Sequence, residues 1–134
     1  MFTFPQRVSF KHCDPAGIVF FPRYFEMIND CMENFFADVL QVPFEKVMPA
    51  NGVPTAQLST RFTAPSRHVD RLALSLKVTK VGRTSFSYEM AAACGDEQRF
   101  ETTGTLVCVN RAGRSTPWPP ALKDRLSAEK DQNQ

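Results

Sequence analysis

The sequence lacks the features that mark several large classes of protein. Its formal net charge is only +2 at pH 7, which is too small to indicate a nucleic-acid-binding protein. No stretch approaches the ~20 apolar residues that a membrane-spanning helix needs, so no membrane span is predicted. The first residues contain no basic segment followed by an apolar run. A signal peptide is therefore not expected, and the expected location is cytoplasmic.

The motifs of familiar catalytic and metal sites are also missing. No Gly-x-Ser-x-Gly sequence occurs, and neither a P-loop nor a dinucleotide-binding glycine pattern is present. The two histidines, His12 and His68, have no second metal ligand at a regular spacing. The four cysteines form no Cys-x-x-Cys pair and are expected to be free thiols. We therefore expect neither a bound metal ion nor a cofactor.

The length and composition are those of one globular domain. A chain of 134 residues with 43% hydrophobic and 22% charged residues can bury an ordinary core. We expect a single domain over residues 1–134. From about residue 117 the chain has three prolines in four residues and then a polar end. This composition predicts a C-terminal tail over 117–134 with a short helix followed by disorder.

The spacing of apolar residues changes twice along the chain. Alternation predicts a strand at the N-terminus and four more strands after the loop that ends near Pro54. The N-terminal alternation is carried by Phe2, Phe4, Val8 and Phe10. From Pro22 to about Leu40 the spacing is helical, and this is the only long helix predicted. Because the later strands have short connections, we predict an α+β fold with a five-stranded antiparallel sheet wrapped around one long central helix.

One acidic residue lies where an acyl-transfer site could form. Asp14 is in a Pro- and Gly-containing turn that leads directly into the N-terminus of the long helix. A helix N-terminus has unpaired N–H groups that can polarise a carbonyl, and a nearby carboxylate can attack it or accept a proton from water. The alternative is structural, since an Asp before Pro is often only a turn former or a helix cap.

The residues around Asp14 resemble the 4-hydroxybenzoyl-CoA thioesterase family, which has the hotdog fold. The family's Asp-Pro-x-Gly-x-Val segment is matched, with the residues that follow it, by Asp14-Pro15-Ala16-Gly17-Ile18-Val19-Phe20-Phe21-Pro22 and by Tyr24. The resemblance extends from about Phe4 to about Arg114. It implies that the protein hydrolyses an acyl-CoA thioester to the free acid and coenzyme A.

The resemblance also implies roles for individual residues. Asp14 would act as nucleophile or general base, and the backbone N–H of Phe21 would polarise the thioester carbonyl. Gly17 would let the backbone approach the acyl group. Arg83 matches a phosphate-binding Arg of the family, and Arg114 is a further candidate. In this family such basic residues often come from a neighbouring subunit.

Other side chains near Asp14 have both a functional and a structural interpretation. Phe20 could line an acyl pocket or cover the helix end. Tyr24 could contact the substrate, although its place on the apolar stripe favours the core. His12 could orient Asp14, and Cys13 could be a nucleophile, although its alternating position is typical of packing.

Two further functions are compatible with this fold. The first is a non-catalytic module that binds acyl-CoA or acyl carrier protein in the same groove. The Asp of the motif favours hydrolysis over this alternative, because a binding module has no use for a carboxylate beside a carbonyl. The second is a hydratase or dehydratase, but such hotdog enzymes usually work through a His in the helix or the loop before it, and this helix has none.

The predicted sheet has consequences for assembly. An edge strand with unpaired backbone groups invites pairing with another chain. We expect a homodimer joined through its sheets, doubled to a tetramer as the family resemblance suggests.

Overall fold

Five strands pair into one antiparallel sheet in the computed structural model, which describes residues 1–47 and 50–133. The strands are β1 (Phe2–Arg7), β2 (Thr55–Phe62), β3 (Arg71–Val81), β4 (Ser85–Cys94) and β5 (Glu97–Val107). Their order across the sheet is β1-β3-β4-β5-β2, so β1 and β2 are the edge strands. The predicted sheet is confirmed.

A long helix packs against one face of this sheet. Helix α1 (Pro22–Asp38) begins with Pro22 in its first turn, where the missing N–H of proline costs no intrahelical bond. Its buried stripe consists of Tyr24, Met27, Ile28, Cys31, Met32, Phe35 and Phe36. These side chains form a single core with the inward-facing residues of β3, β4 and β5. Burial of each large apolar side chain contributes roughly 1.5–3 kcal/mol, so this stripe is the main reason that α1 lies on the sheet.

The first strand is shorter than the alternation of apolar residues predicts. Strand β1 ends at Arg7, and Phe10–His12 form a short 3-10 turn in which Phe10 is 79% exposed. The backbone N–H of Ser9 donates to Nδ1 of His12, at 2.8 Å, and this bond stabilises the turn. A local side-chain acceptor thus competes with continuation of the strand.

The C-terminal segment is more helical than its composition predicts. Two short elements complete the fold: α2 (Phe44–Val47) and α3 (Pro120–Gln132). In place of a short helix followed by disorder, α3 continues for 13 residues. Leu122 and Leu126, four residues apart, are buried in the common core, and Arg125 donates to the carbonyl oxygen of Leu40 at 3.0 Å. Among the described residues no helix is long and apolar enough to span a membrane.

Candidate active site

The segment that leads into α1 is a narrow backbone hairpin. The N–H of Phe20 donates to the carbonyl of His12, and the N–H of Asp14 donates to the carbonyl of Ile18, both at 2.9 Å. The hairpin closes at Gly17, whose φ of +83° is in the left-handed region that favours glycine. A Cβ atom at Gly17 would meet no protein atom within 4 Å. The backbone conformation therefore requires this glycine, and the space beside it is open.

The side chain of Asp14 is half-buried and only partly engaged in this hairpin. Its Oδ1 accepts a hydrogen bond of 2.9 Å from the N–H of Ala16, which is the geometry of an Asx turn. No hydrogen bond from the described residues reaches Oδ2. The turn-forming role considered for this residue is thus present, and it leaves one carboxylate oxygen available for chemistry.

The start of α1 carries one unpaired backbone donor. The N–H of Arg23 donates to the carbonyl of Phe20 at 2.8 Å, and that of Tyr24 donates to the carbonyl of Phe21 at 3.1 Å. Pro22 has no N–H to donate. Within residues 1–47 and 50–133, the N–H of Phe21 has no hydrogen-bond acceptor. This is the backbone group that the family resemblance associates with the thioester carbonyl.

Aromatic side chains surround this helix start. Phe20 and Phe21 are 50% and 55% exposed, so neither belongs to the core. Phe62, near the end of β2, is 43% exposed and its ring stacks on that of Tyr24 with centroids 5.5 Å apart. Tyr24 is itself only 4% exposed, so it is part of the core as well as a wall of the site.

A cavity of about 570 Å³ opens beside these rings. Its walls include Ile18, Phe21, Tyr24 and Phe62. The hairpin and the helix start therefore face a space large enough for part of a substrate. Sequence reasoning missed Phe62, because alternation placed its side chain on the inner face of the sheet but could not show that this face is uncovered at an edge strand.

His12 and Cys13 have structural contacts in this region. His12 is buried, and its Nδ1 accepts from Ser9, so this nitrogen is not available to orient Asp14. Burial and, to a smaller extent, the charge of Lys11 lower the pKa of His12. The Sγ of Cys13 lies 3.9 Å from the carbonyl oxygen of Ser9 and is half-buried. The structural interpretation therefore accounts for both residues.

The two candidate arginines lie at the opposite end of the sheet from Asp14. Arg83 is in the turn between β3 and β4, where its carbonyl accepts from the N–H of Trp118 at 3.1 Å. Arg114 lies in the hairpin after β5, close to the same end, and both side chains are exposed. The Asp14 hairpin instead pairs through Ile18 with Arg67, just before β3 begins. Ten residue steps along β3 span about 34 Å, so the arginines and Asp14 of one protomer are far apart.

Arg99 is a further residue that sequence reasoning missed. It is 9% exposed, and its Nη1 donates to Oδ2 of Asp70 at 2.7 Å and to the carbonyl of Pro65 at 3.0 Å. These bonds stabilise the loop between β2 and β3, in which the carbonyl of Ser66 accepts from the N–H of Val19 at 2.8 Å. Arg99 thus helps to position the Asp14 hairpin through this loop. An isolated Arg just before a predicted strand gave no signal for this role.

No group of three or more His, Cys, Asp or Glu side chains within the described parts of the chain could hold a metal ion. The groups described above offer a carboxylate, an unpaired backbone donor and a largely apolar cavity. Such a set suits attack on a polarised carbonyl.

Comparison with known protein families assigns the chain to one of them. A model of the thioesterase-like superfamily matches residues 8–126. The chain belongs to this superfamily. The match includes the whole hairpin, α1 and the sheet strands β2 to β5, and it confirms the resemblance found in the sequence around Asp14.

Two curated relatives within the superfamily have similar sequences. The 4-hydroxybenzoyl-CoA thioesterase of Pseudomonas sp. (strain CBS-3) is 29% identical over 87 residues, which cover 63% of this chain and 62% of that relative, less than two thirds of its length. The 1,4-dihydroxy-2-naphthoyl-CoA hydrolase of Synechocystis sp. (strain ATCC 27184 / PCC 6803 / Kazusa) is 24% identical over 132 residues, which cover 92% of this chain and 95% of that relative. The enzyme class expected from the sequence, an acyl-CoA thioesterase, agrees with both names.

Solved structures support the fold. A crystal structure of a 1,4-dihydroxy-2-naphthoyl-CoA thioesterase from Synechocystis superposes with a TM-score of 0.86 at 19% identity, covering 94% of this chain and 95% of that chain. At this identity the similarity shows a shared fold. It confirms the α+β class with one sheet and a long helix against it.

Proposed function

We propose that the protein hydrolyses an acyl-CoA thioester, with Asp14 as the reactive carboxylate and the Phe21 N–H as the group that polarises the carbonyl. The observation that carries this proposal is that two groups without hydrogen-bond partners lie on one short segment. Oδ2 of Asp14 accepts no hydrogen bond from the described residues, and the N–H of Phe21 has no acceptor there. Membership of the thioesterase-like superfamily supports the same chemistry.

The reaction can follow two routes from this geometry. In the first, a carboxylate oxygen of Asp14 attacks the carbonyl carbon, the C–S bond breaks, and coenzyme A leaves as thiolate. Water then cleaves the resulting mixed anhydride, which releases the acid and restores the carboxylate. In the second, Asp14 takes a proton from a water molecule that attacks the carbonyl directly. In both routes the Phe21 N–H stabilises the negative charge that develops on the carbonyl oxygen.

We further propose that a second copy of the chain completes the site. Strand β2 is an edge strand with exposed residues on both faces, including Leu58 and Phe62. If two copies pair antiparallel through β2, the Thr55 end of one strand lies beside the Phe62 end of the other. Arg83 and Arg114 lie near the Thr55 end. Arg83 of the partner subunit would then approach the Asp14 hairpin and could bind the phosphates of coenzyme A.

The substitution Asp14→Asn tests the proposed function most directly. It keeps the size of the side chain and the Oδ1 acceptor for Ala16, but it removes the charge. We expect kcat to fall by about 10²–10⁴-fold, as for loss of a general base, or further if Asp14 is the nucleophile. The assay follows release of coenzyme A with a thiol-reactive dye across a panel of acyl-CoA thioesters.

Two controls accompany this measurement. Asp96→Asn changes an exposed carboxylate in the turn between β4 and β5 and should leave kcat unchanged. The free energy of unfolding of Asp14→Asn should stay within about a kcal/mol of the wild-type value. Near-normal turnover by Asp14→Asn would refute the mechanism. If the wild-type protein binds acyl-CoA but hydrolyses none of the panel, the binding-module alternative is favoured.

A further inference from the structure

His12 is bonded to Ser9 through both its backbone and its ring. The backbone N–H of His12 donates to the carbonyl of Ser9 at 3.0 Å, and ring Nδ1 accepts from the N–H of Ser9 at 2.8 Å. Because Nδ1 is an acceptor, the ring in this arrangement is neutral and carries its proton on Nε2. The second bond therefore exists only while the imidazole is uncharged.

The backbone of His12 is also joined to the segment that leads into α1. Its carbonyl accepts from the N–H of Phe20 at 2.9 Å, and the next residue, Cys13, pairs with Val19 across the hairpin. Phe20 directly precedes Phe21, whose N–H is the group proposed to polarise the thioester carbonyl. One hydrogen bond therefore connects the His12 turn to the residue before that N–H.

A polar cavity of about 510 Å³ adjoins the same residue. His12 is only 6% exposed, and it lines this cavity together with Lys11 and with Glu26, Asn29 and Asp30 of α1. A cavity of this size with polar walls can hold water molecules. Solvent can therefore reach His12 even though the side chain is almost fully buried.

Burial and nearby charges determine when the ring becomes protonated. Burial lowers the pKa of His12 from its usual value of 6.5, and the charge of Lys11 acts in the same direction. Of the charged groups on α1, Glu26 raises this pKa, Arg23 lowers it and Asp30 raises it. The net shift is downward, so the ring is neutral at pH 7 and becomes protonated as the pH falls below 6.5.

We propose that His12 is a positioning residue whose neutral imidazole, by accepting from Ser9, holds the Phe21 N–H where it polarises the thioester carbonyl. Protonation gives both ring nitrogens an N–H, so Nδ1 and the N–H of Ser9 become two donors that face each other. The turn then opens and displaces the bond between Phe20 and His12, and hydrolysis is lost as the pH falls. This inference rests on the proposed function, because His12 acts through the Phe21 N–H.

Two substitutions separate the acceptor from the titrating group. His12→Asn keeps an acceptor, because Oδ1 of Asn has the same bond separation from Cβ as Nδ1 of His, but the amide does not titrate. His12→Ala removes the acceptor. At about pH 8, kcat should stay close to wild type in His12→Asn and fall by about 10–100-fold in His12→Ala. The substrate is the panel thioester that wild type hydrolyses fastest, and the Kd of its thioether analogue should be unchanged in both variants.

The pH dependence of kcat distinguishes this role from a purely structural one. In wild type, kcat should decrease below pH 6.5, through the lowered pKa of His12. In His12→Asn the decrease should begin at lower pH. His68→Asn changes the other histidine of the chain, which is exposed, and should keep the wild-type profile. A wild-type profile in His12→Asn, or equal losses of kcat in His12→Asn and His12→Ala, would overturn the inference.

A measurement without substrate separates this inference from the proposed function. NMR can follow the ring protons of His12 and the backbone amides of Ser9 and Phe20 from about pH 8 down to about pH 4.5. The three should titrate together in wild type, and the two amides should lose this titration in His12→Asn. If they titrate together in a protein that hydrolyses none of the panel, hydrolysis is refuted and the coupling to His12 is supported. If the amides do not follow His12 while hydrolysis depends on Asp14, the role of His12 is overturned and the proposed function stands.

Discussion

The two ends of the sheet differ in how their charged groups are held. At the Asp14 end, Arg99 is buried and bonded to Asp70 and to the loop that supports the hairpin. At the other end, Arg83 and Arg114 are exposed, and for each the hydrogen bonds in the structure are those of its backbone. A buried arginine with several acceptors stabilises structure, whereas exposed arginines remain available for an anionic ligand. This difference is the basis on which the proposed function assigns the reacting groups to one end and phosphate binding to the other.

The strongest test of this comparison is Arg83→Ala. If Arg83 binds a phosphate of coenzyme A, KM should rise by about 10–150-fold with a smaller change in kcat and no change in melting temperature. Added salt should reduce the difference between variant and wild type, because exposed charges are screened. Lys80→Ala removes an exposed charge from the same end and serves as the control. An equal rise in KM in both variants would indicate a general effect of charge.

Mixing two impaired variants tests whether the two ends belong to different subunits. Asp14→Asn and Arg83→Ala chains, refolded together at equal amounts, should form hybrid dimers in which one of the two sites is intact. Half of the dimers would be hybrids, so we expect about a quarter of wild-type activity at low substrate concentration. If Arg83 instead served the site of its own chain, the mixture would show only the summed activity of its parents.

A smaller effect is expected from Arg99→Met. This change leaves Asp70 without its guanidinium partner and removes the bond to the carbonyl of Pro65. We expect the free energy of unfolding to fall by about 1–3 kcal/mol, measured by urea denaturation, with faster hydrogen exchange in the loop between β2 and β3. If the Arg99→Met variant keeps wild-type stability and hydrogen exchange, Arg99 does not stabilise its end of the sheet. The two ends would then not differ in the structural role of their arginines.

The smallest effect concerns acid stability. The hydrogen bond from Arg99, followed by that from the N–H of Arg67, holds the pKa of Asp70 below its usual value of 3.8. The contribution of this carboxylate is therefore present above about pH 4 and is lost as pH falls through the lowered pKa. Asp70→Asn should be less stable than wild type at pH 7, and the difference in free energy of unfolding should become smaller below pH 4. If this difference does not change with pH, the effect of the substitution comes from lost packing rather than lost charge.

The sequence was most informative where one local pattern decides the structure. Alternation and helical spacing predicted the strands and α1, and the Pro and Gly residues around Asp14 predicted the turn that leads into α1. The pattern failed at Phe10, where the His12 ring accepts from Ser9 and ends the strand. It also failed in the tail, where two leucines four apart bury against the core and extend α3.

Long-range contacts explain what sequence reasoning could not supply for the site. The role of Arg99 depends on Asp70 and Pro65, which are about thirty residues away in the chain and meet it only when β5 lies beside the loop. The exposure of Phe62 depends on β2 being an edge, which the order of strands in the sequence does not state.

The uncovered edge at β2 also bears on how a newly made chain behaves. A single folded copy presents unpaired backbone groups beside Leu58 and Phe62, and this surface can pair with any other exposed strand that it meets. Pairing with a second copy, as proposed above, is a bimolecular step, so its rate rises with the concentration of folded chains, while misfolded neighbours compete for the same edge. The yield of native protein should therefore depend on the ratio of folded to unfolded chains during synthesis, and conditions that keep few chains unfolded at any moment should raise it.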